Sequence, residues 1–397
     1  MSEWKKVKLG DCITTKKGFA FKSRLYTQQG VPIVRVSDFT LNSIKDNDLV
    51  YYPISEYDKY YDYILSEKDV LIQTVGSWQY NPNSVVGKVV RVPYYHRGSL
   101  LNQNIVKIIP NIGIDKDFIY YRIKCVDFSG FVIGEARGAA NQASITLDTI
   151  KRFTFLLPSL EVQQQIATIL SRYDSLIENY QKQIKLLEES AQRLYKEWFI
   201  DLRFPGHENT NIVDGIPEGW EKKPVDTIYS IKYGKNLSTK LISENGKFPV
   251  YGANGVIGYY DKANCNEQVV LITSRGNGSG DVLMTYHKDA FITNNSFIVL
   301  PIEDYSYCQL PFTYQFLKNA NFRAVRTGAA QPQLTNQSIH TVDVVLPSKD
   351  VIIDYCDKAS YNNKKIILLK NQIRLLTEAR DRLLPKLMSG EISMFIY

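Results

Sequence analysis

At 397 residues with 44% hydrophobic side chains, the chain has room for two ordinary domains, each burying its own core. Its opening residues, MSEWKKVKLGD, lack the apolar stretch of a signal peptide, and no run of about 18 apolar residues occurs, so the expectation is a soluble, cytoplasmic protein. Five cysteines and four histidines lie scattered without a Cys-x-x-Cys pair, which argues against a disulfide framework or a zinc site, while the net charge of +7 suits a polyanionic partner without demanding one.

Taken in chain order, the first part mixes short alternating or apolar runs with turn signals. Gly30-Val-Pro-Ile-Val-Arg35, Val85 to Val92 and Asn104 to Ile109 read as strands, and Asp117 to Lys124 has helical spacing. The tyrosine runs at Tyr51-Tyr52 and Tyr57 to Tyr63 are read as core packing. Leu157-Pro158-Ser159 then leads into Glu161, a serine cap with an acidic first turn. Behind it Ile166, Leu170, Tyr173, Ile177, Tyr180, Ile184, Leu187, Ala191, Leu194 and Trp198 recur at alternating steps of four and three, a sustained heptad seam. Residues 201–211 are turn-rich and read as a linker. The second part again predicts mixed elements, with Gly276-Asn-Gly-Ser-Gly280 as a hairpin turn and Pro311 to Lys318 as a helix. A second seam follows: Tyr355, Ala359, Asn362, Ile366, Leu369, Ile373, Leu376, Leu383 and Leu387, interrupted by Arg380, with Pro385 expected to kink or end the helix.

Sliding the chain on itself exposes a repeat. Trp4 and Lys16-Lys17-Gly18 align with Trp220 and Lys232-Tyr233-Gly234, and Val70-Leu71-Ile72 with Val270-Leu271-Ile272. Arg137-Gly-Ala-Ala-Asn-Gln142 aligns with Arg326-Thr-Gly-Ala-Ala-Gln331, and Gln183-Ile-Lys-Leu-Leu187 with Gln372-Ile-Arg-Leu-Leu376. The chain is therefore two copies of one unit, a variable globular part followed by a helical tail. The fold class expected is α+β: two mixed α/β domains separated by two long antiparallel helices, each roughly 60 Å at 1.5 Å per residue. The boundaries are domain 1 at 1–158, helix 1 at 159–200, linker at 201–214, domain 2 at 215–347 and helix 2 at 348–390.

This layout resembles the specificity subunit of type I restriction-modification systems over the whole chain. Gly215-Ile-Pro-Glu-Gly-Trp220, Glu197-Trp-Phe-Ile-Asp-Leu-Arg-Phe-Pro-Gly206, Gly328-Ala-Ala-Gln-Pro332 and Arg382 to Ile392 carry the likeness, in order and on a duplicated frame. The resemblance implies two target-recognition domains, each reading half of a bipartite site on double-stranded DNA. It also implies a coiled-coil spacer that docks two modification (methyltransferase) subunits, with restriction (motor and nuclease) subunits joining the full complex. No cofactor and no membrane partner are implied.

Catalytic motifs do not stand out. Asn81-Pro82-Asn83-Ser84 lacks the second proline and the aromatic of an adenine-methyltransferase loop, and the glycines at 276–280 lack the Gly-Lys-Ser/Thr ending of a phosphate loop. Base readers need paired donors and acceptors: Arg or Lys for guanine, Asn or Gln for adenine. Such residues beside glycine are Gln73, Ser77, Gln79, Tyr80, Asn81, Arg137, Asn141 and Gln142 in the first half. In the second half they are Ser274, Arg275, Asn277, Arg326, Gln331 and Gln333. Trp78 fits a packed aromatic better than a reader, the usual fate of a lone tryptophan. Lys17, Lys22, Lys232, Lys235 and Lys240 suit phosphates, which set register without specifying sequence. Two rival readings stand beside this one, a fused methyltransferase or nuclease with an unrecognised motif, and a coiled-coil scaffold that binds proteins.

Overall fold

The structure, a computed structural model, describes residues 4–40, 42–78, 84–139, 142–243, 245–328 and 331–392. The chain divides into two units, Met1–Ile177 with Leu375–Tyr397, and Glu178–Arg374, so that each long helix is shared between them.

In the first unit a four-stranded antiparallel sheet has the order Ile13–Lys17, Ile105–Pro110, Val70–Gln73, Val89–Arg91. Its strand Val70–Gln73 is buried on both faces, which is why it reads as an unbroken apolar run. Val70 and Ile72 face a core built with the helices Lys116–Lys124 and Val126–Gly134, through Phe118, Ile119, Phe128 and Val132. Leu71 points the other way, onto Val34, Val90, Leu101 and Ile105. A second sheet, Val50–Tyr52, Val31–Val34, Leu100–Leu101, contains one parallel pairing, Val34 opposite Leu101. Burying side chains such as Phe118 and Phe128 completely contributes on the order of 2–3 kcal/mol each.

The second unit repeats this plan. Tyr229–Tyr233, Ser296–Pro301, Val270–Thr273 and Val282–Met284 form the four-stranded antiparallel sheet. Gly255–Tyr260, Phe248–Gly252 and Phe291–Ile292 form the smaller one, with Tyr251 parallel to Ile292. Val270 and Ile272 again face the helical core, now with Phe312, Phe316 and Leu317, while Leu271 faces Tyr251 and Ile292. The repeat read from the sequence is thus a repeat of topology. Gly276 to Gly280 turns between antiparallel strands, as expected, with Thr273 and Gly280 bonding across its base.

The long helices are Leu160–Tyr195 and Lys349–Ser389, starting directly after Ser159 and Ser348. They run antiparallel in each unit: Ile166 and Leu170 pack with Leu387 and Met388 in the first, and Ile184 with Ile366 and Leu369 in the second. Pro385 does not end the second helix, which continues to Ser389. The lost backbone hydrogen bond is offset by burial of Leu387 and Met388 in the first unit's core.

Glu197-Trp-Phe-Ile has a structural reason. After Tyr195 the helix widens into one π turn, Lys196–Ile200, with Asp201 N–H donating to the Lys196 carbonyl at 2.8 Å. Trp198 and Phe199, adjacent in sequence, are both buried there, against Phe312 and Tyr355. The expected linker is anchored by Phe204, whose ring lies 5.1 Å from Trp220.

Candidate nucleic-acid interface

In the second unit most of the predicted readers gather on one rim of the four-stranded sheet. Ser274, the first residue beyond strand Val270–Thr273, is wholly buried. Its N–H donates to Asn295 O at 2.8 Å and its hydroxyl to Asn294 O at 3.2 Å, while its own carbonyl accepts from Leu334 N–H at 2.8 Å. Ser274 therefore ties three segments together instead of facing a partner, a correction forced by its enclosure. Arg275, exposed, bridges to Gln333, and Gly276 N–H donates to Pro332 O at 3.0 Å. Arg326 reaches the Asn277 carbonyl at 3.4 Å through Nη1. Lys235 joins them, exchanging backbone bonds with Ile292 and Asn294. Gln331 is exposed beside Gly328, whose positive φ of 83° suits glycine. Lys232 is exposed on Tyr229–Tyr233, and Lys240 stands farther along the chain on the helical turn Thr239–Leu241.

The first unit builds a related rim from a small sheet, Arg137–Ala139, Gln142–Ser144 and Val75–Gly76. Arg137 and Gln142 are exposed on it. Ser77 lies alongside, its hydroxyl 2.8 Å from that of Ser84. Gln73, like Ser274, is wholly buried, and its amide nitrogen donates to Ser84 O at 2.8 Å, so it braces the rim from inside. Lys17 and Lys22 are exposed on either side of Gly18 to Phe21. Trp78 packs half-buried against the main core. Gln79, Tyr80, Asn81 and Asn141 lie outside the described residues.

Between the strand pairs of each unit runs a polar triplet that the sequence reading passed over. Asn104 O accepts from both the N–H and the hydroxyl of Thr74, each at 2.9 Å, and the triplet Asn102-Gln103-Asn104 thereby closes the first rim. Thr293-Asn294-Asn295 does the same at Ser274 in the second. The signal was present as Leu101-Asn-Gln-Asn-Ile105 and Ile292-Thr-Asn-Asn-Ser296, aligned polar triplets each preceded by an apolar residue. Gly18 and Gly234 permit the close approach: a Cβ would stand 2.0 Å from Asn102 O in one unit and 2.3 Å from Thr293 O in the other.

The five cysteines are all free and buried, and burial pushes the Cys12 thiol up to about 11. Among the described residues no group of three or more His, Cys, Asp or Glu is placed to hold a metal ion, and no helix is long and apolar enough to cross a membrane. What the rims offer is arginine, amide and lysine groups on rigid sheet ends, the donor and acceptor types that meet base edges and phosphates.

The family model described as the type I restriction modification DNA specificity domain matches residues 1–189 and 217–367, once in each half. The chain is 28% identical over 318 residues to the type I restriction enzyme MjaIX specificity subunit of Methanocaldococcus jannaschii, covering 73% of this chain and 72% of the relative. It is 22% identical over 347 residues to the HindI specificity subunit of Haemophilus influenzae, covering 66% and 73%. In fold it is similar to the crystal structure of the type I restriction-modification S subunit from M. genitalium, with a TM-score of 0.58 and 19% identity over 98% of this chain and 96% of that one. With a model matched separately to each of two topologically repeated units, this chain belongs to the type I restriction-modification DNA specificity family.

Proposed function

We propose that this chain is the sequence-reading, non-catalytic subunit of a type I restriction-modification complex, each unit reading one half of a bipartite site on double-stranded DNA in the cytoplasm. The observation that carries the reading is the duplicated rim, in which the same strand ends and polar triplet present different side chains: Ser77, Arg137 and Gln142 in one, Arg275, Asn277, Arg326, Gln331 and Gln333 in the other. Lys17, Lys22, Lys232, Lys235 and Lys240 serve phosphates. Gln73 and Ser274 hold the rims in shape.

The helices supply the docking face for two modification subunits, with motor and nuclease subunits joining that core. In the second unit Leu186, Tyr361 and Leu368 are exposed, and each precedes a seam position by one residue, which places them along one flank of the helix pair. The other flank carries the Glu188–Lys370 pair, and the Lys370 ammonium sits 3.5 Å from the centre of the Tyr286 ring, so the globular part covers it. An apolar, uncovered helical flank is suited to helices of another subunit.

The test is to assemble the chain with its modification subunits and sequence the methylated sites. Two short motifs separated by an unread spacer are expected. One continuous recognition sequence would sink the proposal, and S-adenosylmethionine binding by the chain alone would favour a fused methyltransferase.

A further inference from the structure

A concavity of about 750 Å³ opens in the first unit, lined among others by Tyr26, Arg35, Phe39, Ser84, Gln103 and Asn104. It adjoins the rim through Ser84, whose hydroxyl pairs with Ser77, and through the triplet Asn102-Gln103-Asn104. Arg35 is the cation in its wall. The guanidinium is clamped side-on by Asp38, with Nε to Oδ2 at 3.2 Å and Nη2 to Oδ1 at 3.0 Å. Asp38 is itself wholly buried and also takes the Arg35 N–H at 2.8 Å, the Ser37 hydroxyl at 3.4 Å and the Lys45 ammonium at 3.4 Å. Two cations share one carboxylate, which leaves the cluster with a surplus positive charge. The end-on edge of the guanidinium, Nη1 with the outer hydrogen of Nη2, meets no acceptor among the described residues, although the side chain is 29% exposed.

We infer that Arg35 is a specificity-determining residue of the first half-site, reading a guanine through its end-on edge, with Gln103 and Asn104 beside it for neighbouring base edges. This rests on the DNA-reading proposal above. A planar fork held in one rotamer loses little entropy on binding, and its two parallel donors match guanine O6 and N7. The second unit does not share the device. Val34 pairs with Leu101 and Tyr251 with Ile292, so the residue following each strand position is Arg35 in one unit and Gly252 in the other. The two units therefore present different side chains at this position.

The experiment uses the full chain with its modification subunits, duplexes randomised across both half-sites, and sequencing of the methylated products, for the unaltered chain, Arg35→Gln and Arg35→Lys. Lys45 still accompanies Asp38 in both variants, so the buried carboxylate is not orphaned. The expected result is a loss of guanine preference at one position by roughly 5- to 150-fold, with the other half-site unchanged, and Arg35→Lys losing discrimination more than affinity. A first half-site unchanged in both variants overturns the inference while leaving the DNA-reading proposal intact. So does an equal loss on every sequence, which would make Arg35 a phosphate contact. An unaltered chain that reads no bipartite site overturns both.

Discussion

Asp174 on the first long helix and Arg380 on the second meet at 2.7 Å, with side chains only 20% and 15% exposed. Arg380 is the charged break in the seam, and its partner also accepts the Tyr121 hydroxyl at 2.6 Å. One carboxylate thus joins both helices to the first globular part. Arg380→Ala should lower stability by about 2 kcal/mol, because a largely enclosed charge loses its ion pair. Urea unfolding of the two single variants and the Asp174→Ala/Arg380→Ala double variant checks this. Strictly additive losses would mean that the pair is not coupled.

Lys124 lies in the same neighbourhood. Burial, and then the Arg380 guanidinium, pull its ammonium down from 10.5 to about 8. The folded protein releases this proton before the unfolded chain does, so between about pH 8 and 10.5 the unfolded chain binds more protons and this group's contribution to stability rises with pH. Lys124→Met should therefore stabilise the protein at pH 7, with an advantage that shrinks as pH climbs through that window. Urea midpoints of variant and parent across pH 7–10.5 decide it, and a pH-independent difference would show that Lys124 keeps its ordinary proton affinity.

Gly18 and Gly234 hold the polar triplets at close range. Gly18→Ala and Gly234→Ala should each cost about 1–3 kcal/mol, since a methyl group meets backbone that has no free rotamer to yield. Thermal or urea unfolding is the measurement. Each change should weaken reading of one half-site only.

Replacing Lys232, Lys235 and Lys240 with alanine should weaken binding alike on target and non-target duplexes. It should also flatten the dependence of log affinity on log salt by roughly 0.9 for each phosphate contact removed. Titrations at several salt concentrations test this. An unchanged slope would assign these exposed lysines to solvent.

A matched seven-residue heptad inserted after Ile177 and after Arg374 keeps the antiparallel seam in register and adds about 10 Å to the helices. The unread spacer should lengthen by about three base pairs, at roughly 3.4 Å each, with both half-site sequences unchanged. Methylated-site sequencing of the folded, assembled variant reads the spacer directly. A constant spacer would show that the helices are not the ruler.

Periodicity and repetition, which are local properties, determined most of the architecture from the sequence alone. The seam at steps of four and three marked both long helices, and the recurrence of Val70-Leu71-Ile72 at Val270-Leu271-Ile272 marked the central strand of each sheet. The candidate interface was legible as two loop clusters beside glycines. Which side chains face outward was decided only by the tertiary structure. Gln73 and Gln142 look equally suited to read a base, yet one is wholly buried and the other exposed. Burial at a strand end depends on which distant segment packs across it, here the Ser84 and Asn104 carbonyls, and no local pattern encodes that. Arg35 is clamped locally by Asp38, three residues on, but the cavity it lines is closed by Ser84, Gln103 and Asn104 from distant segments. The sequence determined where the elements run, because hydrophobic spacing is written along the chain. Only the tertiary structure decided which polar groups are left to meet a partner, because hydrogen bonds and enclosure are settled between residues far apart in sequence.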